Sequence, residues 1–162
     1  MGVEKIFFQG VPFELIEFHV IFLKSGGRGK RKPMKQKIAF FIDDDPNFLE
    51  LVPEVIRHPD FEIRTFCASN GYHTIDEIIK IRPDVLFIDF YLPRVNGGQI
   101  LPILRSVQML DHLPVYFVSG YSKEGIKTFL GNTEYAGILF KDDSLMDEIR
   151  KVLDELSPAN SV

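Results

Sequence analysis

Five residues in this chain have the types and the spacing to do chemistry together. Asp43 and Asp44 stand in FFIDDDP, residues 40–46, and Asp89 closes the apolar run DVLFID. Ser119 follows PVYFV, and Lys141 follows GILF. Two carboxylates held about 4 Å apart repel by roughly 4 kcal/mol at an effective dielectric of 20. Three of them with one lysine remain net negative, so a cation belongs among them. Carboxylates, backbone carbonyls and water are hard oxygen ligands, which suits Mg²⁺ and its preference for phosphate oxygens. No His or Cys stands at these five positions, which argues against zinc. A carboxylate beside Mg²⁺, an ammonium and a hydroxyl has the parts for phosphoryl transfer, where catalysis is mostly positioning and charge neutralisation.

Such a cluster needs a scaffold that brings distant residues to one edge. From Lys37 onward short apolar runs alternate with amphipathic stretches. KIAFFI, FEIRTF, DVLFI, PVYFV and GILF read as strands. PNFLELVPEVIRH, NGYHTIDEIIKI, GQILPILRSVQML, SKEGIKTFL and SLMDEIRKVLDEL read as helices. Five βα units with fully apolar strands imply an α/β fold with a parallel sheet covered on both faces. Pro53 and Pro102 fall inside two helical patterns and Gly125 inside a third, so kinked or short helices are expected there. Ligands of open parallel sheets bind beyond the carboxyl ends of the strands. Asp89 therefore stands where burial ends and chemistry can begin.

The chain has 162 residues, 45% hydrophobic and 26% charged, enough for one domain with a real core. Cys67 is the only cysteine, which excludes an intrachain disulfide and fits a reducing, cytoplasmic setting. Residues 1–37 carry eight Lys/Arg against three Glu, which leaves −9 on residues 38–162. An acidic globular part is a poor nucleic-acid binder. VPFELIEFHVIFL, residues 11–23, is shorter than the roughly 18 to 20 apolar residues that span a bilayer, and it holds Glu14, Glu17 and His19. The positive charges follow it, the reverse of an export signal. KSGGRGKRKPMKQK, residues 24–37, reads as a basic linker. The domain plan is thus an extension and linker over 1–36 outside the fold, a domain over 37–157 and a tail over 158–162. Met34 is a candidate natural start, and a membrane-surface role for residues 1–37 is the less favoured reading of that segment.

FFIDDDP, LFIDFYLPRVNGG, VYFVSGY and GILFKDD together resemble the receiver domain of two-component response regulators over about residues 37–156. The spacing agrees, with Pro93 and Gly97 four and eight positions after Asp89, Ser119 thirty and Lys141 fifty-two. The resemblance implies a flavodoxin-like sheet of order 2-1-3-4-5. It implies that Asp89 accepts a phosphoryl group from a phosphohistidine on a histidine kinase or phosphotransfer protein. Asp43, Asp44, Asp89 and the Tyr91 carbonyl would hold Mg²⁺, Ser119 would bond a phosphoryl oxygen, and Lys141 would supply the point charge. With only SPANSV after the last helix, the sequence reads as a stand-alone receiver that signals to an unnamed downstream protein, a switch more than an enzyme. The output surface would lie at about residues 122–156.

Two positions depart from the family pattern. Asp142 stands where proline usually follows the lysine, and Ile138 where an aromatic switch residue is typical. Tyr91 and Tyr121, each two residues past a site residue, occupy positions that tune loss of the phosphoryl group in this family. The rival functions are a phosphorylation-independent receiver-like adapter and a haloacid-dehalogenase-like phosphatase built on Asp43 and Asp45.

Plainer roles exist for most of these residues. Asp45 before Pro46 reads as a helix N-cap, work that Asp43 and Asp44 could share. Ser119 and Ser122 are common turn or cap residues, and Lys141 could be a solvated strand end. Pro93 and Gly97 read as loop-shaping residues. His19, His58, His73 and His112 read as surface or linker residues.

Overall fold

The computed structural model describes residues 7–8, 11–12, 35–121 and 123–158, without the side chains of Tyr72, Lys123 and Glu124. The chain divides into two compact units, residues 1–33 and 34–162. In the first, Phe7–Phe8 pairs antiparallel with Val11–Pro12. The basic linker up to Met34, His19, Ser122 and the last four residues lie outside the described residues.

In the second unit the alternating pattern becomes β1 (Lys37–Asp43), α1 (Pro46–Val55), β2 (Phe61–Cys67), α2 (Tyr72–Ile81) and β3 (Val85–Asp89). A short hairpin follows, β4 (Tyr91–Leu92) and β5 (Val95–Asn96), and then α3 (Gly97–Ser106). The chain continues through β6 (Val115–Ser119), α4 (Lys123–Leu130), β7 (Gly137–Phe140) and α5 (Leu145–Leu156). The five longer strands form one parallel sheet in the order β2-β1-β3-β6-β7. This is the flavodoxin-like order expected for the five main strands. Strand order reverses between β1 and β3, the place where this architecture opens a crevice at its carboxyl edge.

The period of two along each strand sorts the core into two layers. Ile38, Phe40 and Ile42 of β1 join Leu86 and Ile88 of β3 in a cluster with Ile78 of α2, Leu101 of α3 and Ile126 of α4. Ala39 and Phe41 of β1 join Val85 and Phe87 of β3 on the other face, with Val52 of α1 and Ile149 of α5. Phe41 and Phe87 stack at 4.6 Å. Phe40, Phe41, Phe87, Phe90 and Phe117 are almost fully buried, each contributing roughly 2 to 3 kcal/mol of hydrophobic burial.

Three local features differ from the periodicity reading. The helical patterns ran to His58 and Leu110, whereas α1 stops at Val55 and α3 at Ser106. Each helix ends within four residues of its internal proline, whose ring removes a ladder donor. Leu110 kept the apolar rhythm because it is buried from a turn, with its N–H on Val107 O. The β4–β5 hairpin carried no strand signal. Its turn places Arg94 at φ 72° and docks on Gly71, whose N–H donates to Pro93 O. A Cβ on Gly71 would lie 1.9 Å from Val95 Cγ1, so the approach needs glycine. A Cβ on Gly97 would likewise lie 2.5 Å from the Phe117 ring.

His58 is the third difference. The sequence placed it on the surface, yet its side chain is only 9% exposed and its Nε2 lies 3.2 Å from Asp154 Oδ1 on α5. Asp60 N donates to its Nδ1, so the ring proton belongs on Nε2. His73 and the fully solvated His112 are exposed as read.

Candidate functional site

The alternation that builds the core also aims the polar residues. Asp43 continues the series Ala39, Phe41 on β1, and Asp89 continues Val85, Phe87 on β3. Lys141 follows Leu139 by two on the far side of the sheet, so all three side chains emerge on the α1/α5 face. They meet above the stacked Phe41 and Phe87 rings. One carboxylate oxygen each from Asp43, Asp44 and Asp89 lies within 4.8 Å of the others. Lys141 Nζ stands 2.7 Å from Asp43 Oδ2 and 2.5 Å from Asp89 Oδ2.

Asp43 is fully buried. Its Oδ1 accepts from Asp45 N at 2.9 Å, whereas its Oδ2 has the Lys141 ammonium near it without the direction of a hydrogen bond. Asp89 Oδ1 accepts from Tyr91 N at 2.8 Å. Burial pushes the Asp89 carboxyl above its ordinary range, against the opposing pull of Lys141 and the Tyr91 N–H, and the Asp43 charge adds to the rise. Burial alone would lower the Lys141 ammonium, but its bonds to Asp43 and Asp89 outweigh that and hold it above its ordinary value.

Three acids against one lysine leave two negative charges at the sheet edge, two of the acids are buried, and one buried oxygen lacks a directed donor. All the side-chain donors are oxygens, so the set fits Mg²⁺. The Tyr91 carbonyl belongs to the hairpin tied down through Gly71.

Ser119 ends β6 fully buried, with its Oγ accepting from Tyr121 N at 3.0 Å and its carbonyl accepting from Lys141 N. It stands on the strand next to β3, in the register where Asp89 faces Val118. Asp45 takes the plainer role, capping α1 through Asn47 N with Pro46 in the first turn. Asp142 turns away from the site. Its exposed carboxylate accepts from both Ser144 N and Ser144 Oγ, which hold it below its ordinary range. Ile138 packs against the α2/α3/α4 core, in register with Phe117.

Sequence reasoning missed two sets of contacts beside this cluster, although it had singled out Tyr91 and Tyr121. Phe48 of α1 was read as a helical core position, but its ring centroid lies 5.2 Å from Lys141 Nζ. The Tyr91 and Tyr121 rings meet edge to face at 4.8 Å, and Phe129 of α4 lies 6.3 Å from Tyr91. No local signal marks either contact, because each joins elements far apart in the chain.

The solved structures most like this fold include the phosphorylated cyanobacterial phytochrome response regulator RcpA, at TM-score 0.64 and 18% identity over 75% of this chain and 94% of that one. The Mn²⁺-bound form of response regulator Rcp1 matches at TM-score 0.60 and 16% identity, over 73% and 92% of the two chains. Among curated proteins, a protein-glutamate methylesterase/protein-glutamine glutaminase of Pyrococcus abyssi is 31% identical over 126 residues, 75% of this chain and 33% of the relative. The chain thus spans about a third of the length of that relative. Residues 39–154, from β1 into α5 and including the acidic cluster, fit the family described as response regulator receiver domain. By its sheet order and its match over most of its length, the chain belongs to the response regulator receiver domain family.

Proposed function

We propose that this receiver is a phosphorylation switch in which Asp89 takes the phosphoryl group of a phosphohistidine on a histidine kinase or phosphotransfer protein. An Asp89 carboxylate oxygen forms the new bond to phosphorus as the P–N bond breaks, and the imidazole nitrogen keeps the electron pair and takes a proton. Asp43, Asp44, Asp89 and the Tyr91 carbonyl are the residues that would hold Mg²⁺, which supplies positive charge for the phosphoryl oxygens. Lys141 adds its ammonium to the same task, and Ser119 Oγ offers a hydroxyl to a phosphoryl oxygen. The supporting observation is the excess of acid beside Lys141: three carboxylates, two of them buried, gathered within 4.8 Å need a cation before a fourth anionic group can enter.

The charge change at Asp89 would alter partner binding through the loops beyond β3 and β6. The Tyr91 and Tyr121 rings, each two residues past a strand-end site residue, are paired edge to face, and rings there would slow hydrolysis of the acyl phosphate. Tyr121→Ala should shorten the lifetime of the phosphorylated form.

The deciding experiment incubates the protein with Mg²⁺ and acetyl phosphate and records the intact mass beside Asp89→Asn. A gain of one phosphoryl group in the parent alone is expected. No gain in either, with Mg²⁺ bound, would favour a receiver that binds partners without phosphorylation.

A further inference from the structure

We propose that Phe48 is a positioning residue for Lys141, an inference that rests on the reading of Asp89 as phosphoacceptor. The ammonium is bounded on one side by the Asp43 and Asp89 oxygens and on another by the Phe48 ring, 5.2 Å from Nζ to centroid. That distance is within the range where the negative face of a ring attracts a cation.

The ring is held in place by the same residues that make the site. Asp43 Oδ1 accepts from Asp45 N, and Asp45 Oδ1 accepts from Asn47 N, each at 2.9 Å. Asp45 O then accepts from Leu49 N, which closes the first turn of α1 around residue 48. The position of the ring is therefore referenced to Asp43, the carboxylate that shares Lys141. Phe48 is half-buried and packs against the α1/α5 core, so it cannot leave the ammonium without losing apolar contact. The Lys141 side chain is 27% exposed and would otherwise have solvent-facing positions open to it. The ring removes one of these and keeps the ammonium hydrogen-bonded to Asp89 and beside Asp43, where a phosphoryl oxygen must be met.

A leucine fills much of the same apolar space but has no ring face, whereas a tyrosine keeps it. The loss expected for Phe48→Leu is about fivefold in the rate of Asp89 phosphorylation at saturating Mg²⁺, or about 1 kcal/mol at 1.4 kcal/mol per factor of ten. Phe48→Tyr should keep the parental rate, and the Mg²⁺ dissociation constant should be alike in all three. This split between rate and metal affinity is not expected of a general structural lesion.

The test measures acetyl phosphate kinetics by intact mass together with the Lys141 ε-methylene proton shifts of the metal-free proteins, assigned by their loss in Lys141→Met. A ring-induced upfield shift in the parent and Phe48→Tyr, absent in Phe48→Leu, is expected alongside the rate change. A parent that gains no phosphoryl group overturns the Asp89 reading and the role of Phe48 with it. A parent that is phosphorylated while Phe48→Leu keeps pace, Phe48→Tyr slows like leucine, or the parental upfield shift is missing overturns the role of Phe48 alone.

Discussion

The two ends of the sheet use the same residue types to opposite purposes. At the amino end Lys37 Nζ donates to Leu156 O at 2.7 Å, and Ile38 N donates to Asp84 Oδ2 at 2.7 Å. His58 bridges Asp60 N and Asp154, Ser157 Oγ bonds Asp60 Oδ2, and Arg150 reaches Val55 O. Each of these polar groups meets a directed partner, and most of the partners come from far along the chain. At the carboxyl end two buried acids share one lysine beside a third, exposed carboxylate, and a buried oxygen has no directed donor. Paired polar groups tie α5 and the α1–β2 connection to the sheet. Unbalanced charge, which lowers stability, is concentrated where a cation and a phosphoryl group would restore the balance.

The comparison is broken most severely at Lys141. Lys141→Ala leaves Asp43 and Asp89 buried without their counter-charge, and the partly exposed ammonium brings the expected loss below the usual buried-pair figure, to roughly 2 to 3 kcal/mol without metal. Urea denaturation in chelator should show the loss, and a fixed, saturating Mg²⁺ concentration should narrow the gap to the parent, because the variant's uncompensated carboxylates bind the cation more tightly. A loss that persists unchanged with bound Mg²⁺ would contradict the charge argument. At the opposite end, His58→Ala removes an edge-to-face contact with Phe61 and leaves Asp60 N–H without its acceptor. About 2 kcal/mol of stability should go, with Mg²⁺ binding and phosphorylation rate unchanged.

Asp89→Asn sharpens the contrast by changing sign. The folded-state value of Asp89 is raised, so stability is lost as the pH rises from the ordinary aspartate range through that raised value, and the full cost is present above it. Without metal, the asparagine variant should be more stable than the parent at pH 7. The difference should shrink as the pH falls through the raised Asp89 value toward the ordinary aspartate range. Denaturation midpoints at several pH values measure it, and a less stable variant would show that the Lys141 bond outweighs the burial cost. The smallest effect belongs to Asp142. Its value is lowered by Ser144, so the stabilisation from its bonds to Ser144 is complete above the ordinary aspartate value of about 3.9 and is lost as the pH falls through the lowered one. In Ser144→Ala the Asp142 carboxyl titration, followed by NMR, should move back up toward that ordinary value.

Much of this was legible along the chain, because strand and helix periods are local consequences of backbone geometry. KIAFFID and DVLFID show both the buried strands and the acids that end them, and the N-cap pair Asp45–Pro46 announces the start of α1. Where the reading missed, a distant partner decided. Leu110 looked helical because burial, which the tertiary fold imposes on a turn, imitates helical spacing. His58 looked like a surface residue because Asp154, its partner on α5, is 96 positions away.

By itself, then, the sequence determined the order and type of the main elements, the covering of both sheet faces, and which acids, hydroxyl and lysine terminate the strands. Only the tertiary structure decided that Asp43, Asp89 and Lys141 share one face, that Phe48 stands over the lysine, that Tyr91 meets Tyr121, and that Gly71 holds the hairpin after Asp89. The physical reason lies in the reach of the forces. Backbone sterics and hydrophobic period act over a few residues, whereas these contacts follow from strand register and from helices packing across a sheet assembled from the whole domain.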